Sequence, residues 1–180
     1  SKAISVRGIK METILVVDGY NIIGAWPDLR KLRDQDLAAA RDRLIEMMAE
    51  FQGFSGHRVI IVFDAYFVQG MEKKYRNSKV DVIFTKENET ADECIERLAS
   101  KLIKINTRVY VATSDYTEQR TIFAQGAYRK SARELLQEME YVEKEIEKKV
   151  VQTKDEQPVS RIPLSREVSE MFEKWRRGNL

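Results

Sequence analysis

The chain is poor in the residues that build most redox and transition-metal sites. Cysteine and histidine occur once each in 180 residues, as Cys94 and His57. A lone cysteine excludes an internal disulfide framework and a thiolate metal cluster, and fits a reducing cytoplasm. A lone histidine excludes a histidine-rich zinc site, and leaves a Ser-His-Asp triad only His57, which stands before an apolar run. Three prolines and eight glycines are too few for a collagen-like or low-complexity chain. No apolar run approaches the roughly 20 residues that cross a membrane, and no secretory h-region opens the chain. A large charge of one sign is missing as well. Thirty-one Lys and Arg against 29 Asp and Glu give a net charge of +2. Total charge therefore does not mark a nucleic-acid binder, and local clusters must carry that argument. Any metal would need oxygen ligands, which suits Mg2+ or Mn2+.

What is present is globular: 43% of residues are hydrophobic, in short runs. Four of these read as strands, at 13–17 (TILVV), 59–63 (VIIVF), 80–84 (VDVIF) and 108–112 (RVYVA). Three are nearly continuous and β-branched, as in strands buried on both faces of a parallel sheet. Helical spacing links Leu37, Ala40, Leu44, Ile45, Met48 and Phe51, predicting a helix over 36–51. A second helix is expected over 93–104, opened by a capping box at Thr90-Ala91-Asp92-Glu93. A third is expected over 116–125, stopped by Gly126. A longer one begins near Ser131, with Leu135, Met139, Val142 and Ile146 on one stripe. Its simplest reading is an amphipathic helix packed on the domain, with a partner-helix surface the lesser one. Residues 151–163 read as a polar loop, and 164–177 as a closing helix. Alternating strands and helices predict an α/β fold with a mainly parallel sheet flanked by helices. Residues 1–10 lack periodicity and precede Met11, and read as a leader or tag. A domain over 11–150 and a linker with a terminal helix over 151–180 complete the expected layout.

Ligands of a parallel α/β sheet bind beyond the carboxyl ends of its strands. Asp18 directly follows the first strand, Asp64 the second, and Asp115 stands three residues past the fourth. Asp92 falls in the first turn of the helix after the third strand. Asp is depleted in strands, so strand propensity does not put these acids there. One such Asp is usually a helix cap; several on one rim repel one another unless a cation compensates. A divalent ion with water in its shell would polarise a phosphodiester and lower the pKa of an attacking water. Asn21, three residues after Asp18, adds a neutral amide, and Thr113 and Ser114 add hydroxyls. Asp64 is the weakest member, and Glu89 and Glu93 could assist or replace Asp92. Nucleotide-cofactor sites are excluded: neither a phosphate-binding G-x-x-x-x-G-K-[ST] loop nor a G-x-G-x-x-G turn occurs. Asp18-Gly19-Tyr20 lacks the second Asp of a haloacid-dehalogenase-type phosphatase, and no Lys fits a receiver domain's later strand end.

Leu15-Val16-Val17-Asp18-Gly19-Tyr20-Asn21-Ile22-Ile23 resembles the opening motif of the NYN branch of PIN-like nucleases. Val109-Tyr110-Val111-Ala112-Thr113-Ser114-Asp115-Tyr116 resembles that family's later strand and acidic turn. Val62-Phe63-Asp64-Ala65 and the run from Thr85 to Asp92 match between them, and the order and spacing are similar to the bacterial YacP group. The likeness runs from Met11 to about Trp175. It implies a PIN-like three-layer fold and a metal-dependent endoribonuclease that cuts single-stranded RNA. It further implies Asp18, Asp92 and Asp115 as metal-binding catalytic acids for Mg2+ or Mn2+, with Asn21 and Asp64 accessory. The YacP group also implies a ribosome partner and mRNA cleavage in the decoding (A) site. The competing expectations are a non-catalytic RNA- or ribosome-binding module of the same fold and a metal-dependent phosphatase.

A nuclease must hold a polyanion beside its acids. Lys73, Lys74, Arg76 and Lys79 surround Tyr75, which could stack a base. Arg120, Arg129, Lys130 and Arg133 form a second basic cluster, where the helix opening at Ser131 could also receive phosphate. Lys174-Trp175-Arg176-Arg177 is a third. Cys94 reads as a small core residue, His57 as incidental, and Tyr20 as either packed or stacking.

Overall fold

The β-branched runs form strands, and the chain returns between them through helices on both faces. The computed structural model describes residues 5–6, 9–67, 74–115, 120–155, 170–171, 173–174 and 176. A short antiparallel pair, β1 (Ser5–Val6) and β2 (Ile9–Lys10), comes first. The main sheet has five strands: β3 (Glu12–Asp18), β4 (Arg58–Phe63), β5 (Asp81–Phe84), β6 (Thr107–Ala112) and β7 (Tyr128–Lys130). Their order is β5-β4-β3-β6-β7, and every neighbouring pair is parallel. β3, the first strand of this sheet in sequence, is therefore central, and all five carboxyl ends share one edge.

On one face Ile14, Val16, Ile60, Val62, Val109 and Val111 pack against Cys94, Ile95 and Ala99 of α4 (Ala91–Leu102) and Ile122 of α5 (Arg120–Ala124). Period-two alternation turns Leu15, Val17 and Ile61 to the other face. There α1 (Gly19–Ala25) contacts β3 and β4, and α3 (Leu37–Ser55) contacts β4. α2 (Pro27–Gln35) packs on α1 and α3. Trp26, between α1 and α2, donates its indole N–H to the Ala132 carbonyl at 2.8 Å, tying this layer to the start of α6 (Ala132–Asp155).

The four expected strands and the helices near 36–51, 93–104 and 131 all form. α6 continues through Asp155, so 151–155 is helical rather than loop. Its polar last turns add no apolar stripe, which hid them from a reading based on hydrophobic spacing. The expected helix over 116–125 is seen over Arg120–Ala124, with 116–119 outside the described residues, and Gly126 follows at φ 112°. Residues 156–169 of the expected loop and terminal helix also lie outside them; Glu170, Met171, Glu173, Lys174 and Arg176 are helical. The chain divides into two compact units, Ser1–Glu143 and Lys144–Leu180. Among the described residues no helix is long and apolar enough to cross a membrane.

Candidate active site at the carboxyl edge of the sheet

Register fixes the rim. Asp18 is paired with Val62, and Val17 with Ala112, so Thr113 stands beside Asp18 where β3 and β6 end. Asp18 is the last residue of β3 and the residue before α1, and is only 8% exposed. Gly19 must follow it: a Cβ there would lie 2.4 Å from the Phe63 ring and 3.0 Å from the Val62 carbonyl. The glycine thus lets α1 start directly against β4.

Thr113 donates its hydroxyl to Asp18 at 3.2 Å, and the Asp115 N–H donates to the same hydroxyl at 3.1 Å. One threonine therefore joins two of the acids. Ser114 donates both its N–H, at 2.8 Å, and its hydroxyl, at 3.0 Å, to the Asn21 amide oxygen. That oxygen is occupied by two donors, which leaves Asn21 its N–H groups to offer to a ligand. Asp92 sits in the first turn of α4, whose N-cap Thr90 accepts from the Glu93 N–H at 3.2 Å.

The acids feel one another. The Asp18 carboxyl is raised from 3.8 to about 7, first by burial, then by the charge of Asp92, with Asp115 adding in the same direction. Thr113 opposes the shift, and so does the Asn21 backbone N–H, although its geometry falls short of a cap hydrogen bond. The structure thus brings Asp18, Asp92, Asp115 and Asn21 to one rim. Asp64 follows β4 on the same edge but is not among the groups that shift Asp18: its carboxylate accepts the Tyr66 N–H at 2.9 Å in a local turn, and its charge acts on the Tyr20 phenol. Glu89 is ion-paired with Arg97 at 3.0 Å, and Glu93 is exposed.

The basic clusters divide. Arg76, Lys79, Arg120, Arg129 and Arg133 are exposed, as is Lys74, which pairs with Asp42 at 3.4 Å. Lys73 lies outside the described residues. Tyr75 is 7% exposed, with its hydroxyl donating to Asp42 at 2.7 Å and its ring stacked on Phe84, so it is packed rather than open to a base. Lys130 is also 7% exposed, ion-paired with Glu138 at 2.8 Å, with its ammonium 4.8 Å from the Tyr110 ring. Both leave the set of RNA contacts: the Tyr75 ring is covered by Phe84 and cannot stack a base, and the Lys130 charge is already met by Glu138. Ser131 caps α6 by accepting the Glu134 N–H at 3.0 Å.

Lys130 borders a cavity of about 1060 Å3 that also touches Thr13, His57, Arg108 and Tyr141. Thr13, His57 and Arg108 mark it as the amino edge of the sheet, away from Asp18. His57 therefore stands far from the acids. Burial, then the charge of Lys130, lowers its pKa below the usual imidazole value. Cys94 is a core residue whose thiol burial pushes up to about 11.

Sequence reasoning missed Arg41. It is 4% exposed and donates to the Tyr20 hydroxyl at 3.3 Å. The signal was available: positions 37, 41, 44 and 48 form one helical stripe, and Arg41 is its only charge.

A family profile described as the YacP-like NYN domain matches residues 15–177. The chain belongs to this family. An uncharacterized YacP protein of Bacillus subtilis (strain 168) is 60% identical over 167 residues, 93% of this chain and 98% of that protein. The crystal structure of Rae1 (YacP) from Bacillus subtilis superimposes with a TM-score of 0.74 at 60% identity, covering 93% of this chain and 96% of that one. A tryptophan-to-leucine mutant of the same protein gives 0.72 at 55% identity, with 92% and 96% covered. The fold of this YacP-like NYN protein is PIN-like, a parallel sheet between helical layers, and the family is of nuclease type and RNA-related.

The YacP-like NYN site fits a hard divalent cation by the chemistry of its donors: three carboxylates, one of them destabilised as an anion by burial and then by the charges of the other two. Among the described residues no three acidic, histidine or cysteine side chains converge into a ligand cage. Mg2+ does not require one, since it keeps several waters and binds through one or two carboxylates and substrate phosphates.

Proposed function

We propose that the chain is a metal-dependent endoribonuclease that hydrolyses single-stranded RNA, with mRNA in the ribosomal A site as its substrate and the cytoplasm as its compartment. The observation that carries the reading is the Asp18 carboxyl, held at about 7 by burial and by Asp92 and Asp115. Three like charges kept at such cost on a functional rim imply a cationic partner. Asp18, Asp92 and Asp115 would hold Mg2+ or Mn2+, which when bound supplies a Lewis acid and a more acidic water. Thr113 orients the Asp18 carboxylate and fixes the Asp115 backbone. Ser114 holds the Asn21 amide so that its N–H groups can donate to a phosphate oxygen. Exposed Arg120, Arg129 and Arg133, around the carboxyl end of β6, offer cations to the strand, whereas Lys79 stands just before β5, its carbonyl held by Gln52 beside Val59 at the amino edge. Ribosome association and the A-site substrate follow from the YacP resemblance.

The lack of a three-carboxylate cage among the described residues favours one second reading, a non-catalytic RNA- or ribosome-binding module. Single-stranded RNA with Mn2+, with and without EDTA, separates the two, beside Asp18→Asn. The nuclease gives internal cuts that EDTA and the substitution abolish. Binding without cleavage, on free RNA and on translating ribosomes alike, would establish the module instead.

A further inference from the structure

Among the described residues Arg41 is a buried charge without a counter-charge. Its guanidinium is ionised at every physiological pH. Buried charges in folded proteins are ordinarily met by an opposite charge. None of the ion pairs among the described residues includes Arg41. Its Nε has no hydrogen-bond partner. Its one side-chain hydrogen bond among the described residues goes to a neutral phenol, Tyr20 at 3.3 Å, and the other group acting on it is the Tyr75 phenol. Asp42 is reached only through the Tyr75 hydroxyl, which donates to it at 2.7 Å.

The place of this charge matters as much as its isolation. Tyr20 follows Asp18 by two residues. Its ring centroid lies 5.0 Å from Phe63, Phe63 lies 5.7 Å from Phe84, and Phe84 lies 5.9 Å from Tyr75. The four rings cross the carboxyl ends of β3, β4 and β5; Arg41 donates to the Tyr20 hydroxyl at one end and is near enough to the Tyr75 phenol at the other for the two to interact. The unmet positive charge thus belongs to the rim where a phosphodiester must lie beside the acids.

We infer that Arg41 is an anion-binding residue of this rim, taking a backbone phosphate of the RNA strand as its missing counter-ion. An anionic phosphate oxygen replaces the neutral Tyr20 oxygen as acceptor, a stronger, charge-assisted bond. The inference rests on the ribonuclease reading, and its test separates the two.

Full-length Asp18→Asn serves as the parent, so that RNA stays intact, with Arg41→Met and Arg41→Lys added to it. Binding of a labelled single-stranded RNA is measured across salt concentrations, inorganic phosphate is titrated in a parallel arm, and thermal melts are recorded without ligand. Arg41→Met should weaken RNA binding about tenfold or more. It should also flatten the log–log salt slope by about 0.7, one phosphate contact on a single strand. Its unliganded melting temperature should equal or exceed the parent's, because an uncompensated buried charge has been removed. Arg41→Lys should lose affinity but keep the slope. If the methionine variant folds poorly, the lysine variant decides alone: affinity equal to the parent's overturns the inference. Protection of the parent but not of Arg41→Met by inorganic phosphate would extend the site to free phosphate; a response to RNA alone assigns it to the backbone. Unchanged affinity and slope in Arg41→Met, with a lowered melting temperature, would make Arg41 a structural clamp and overturn the inference. A parent that binds no RNA removes the ribonuclease reading. The phosphate arm then decides alone: Arg41-dependent protection upholds the anion site, and its absence overturns it.

Discussion

Asp18 ties the fold to pH in an unusual direction for a carboxylate. Folded, it keeps its proton up to about 7; unfolded, it releases it near 3.8. Between those values the folded state binds more protons than the unfolded one. Stability from this residue therefore falls as pH rises through that window and stays low above it. Asp18→Asn removes the dependence. Its melting temperature should exceed the wild type's at about pH 8 and match it near pH 4, by a few kcal/mol at most. RNA cleavage should be lost throughout. Calorimetry across pH checks the first statement, and a gel assay the second. Next to it, Gly19→Ala places a methyl group against Phe63 and the Val62 carbonyl. Both neighbours are buried, so the rim must shift; a loss of about 1–3 kcal/mol in a denaturant melt is expected, with reduced cleavage. Lys130→Met, which alters a side chain turned away from the acids into the cavity beside Thr13 and His57, should leave the rate of RNA cleavage unchanged while lowering stability, because it removes the ion pair with Glu138.

At the scale of elements, α4 places Asp92. Its N-cap is Thr90, so Thr90→Ala should cost about 1 kcal/mol and fray the turn that carries the acid. A fall in turnover larger than the fall in melting temperature, with Thr90→Ser restoring both, is the expected pattern. The elements with a strong period were legible in the sequence. β3, β4 and β6 are near-continuous apolar runs, and α3 and α4 carry clear stripes with readable caps at Asp36 and Thr90. α1 and α2 were not. α1 has seven residues, begins on Gly19 and contains Gly24, so neither length nor propensity marks it. α2 is mostly charged and buries only Leu29. β7 is three residues, two of them exposed, and exists because the open side of β6 needs a hydrogen-bonding partner. The site was half legible for the same reason. Acids after strong strands could be placed on a rim from sequence, and Asp92 and Asp115 lie close enough for their charges to act on Asp18 there. Asp64 follows a strand equally well but closes a turn, since local backbone donors rather than strand order decide where its carboxylate goes. Tyr75 and Lys130 look like surface residues in sequence, and only tertiary partners bury them.

For the whole molecule, the proposed metal site would link cation, proton and fold through one rim. A divalent ion bound there would have to displace the proton that Asp18 holds up to about 7. Melting temperature should therefore rise on adding Mn2+ or Mg2+, more at about pH 8 than at about pH 6, by mass action on the folded state. Asp18→Asn should show little of either effect, which a cation titration followed by thermal melts will reveal. The sheet that presents the rim ends on both sides in very short strands, β5 with four residues and β7 with three. Strand margins are where folded chains template one another into fibrils, and brevity is one defence against it. Here the lateral borders offer too few open amides for another copy to zip onto. Crowded storage of the native chain should accordingly leave it free of cross-β assembly.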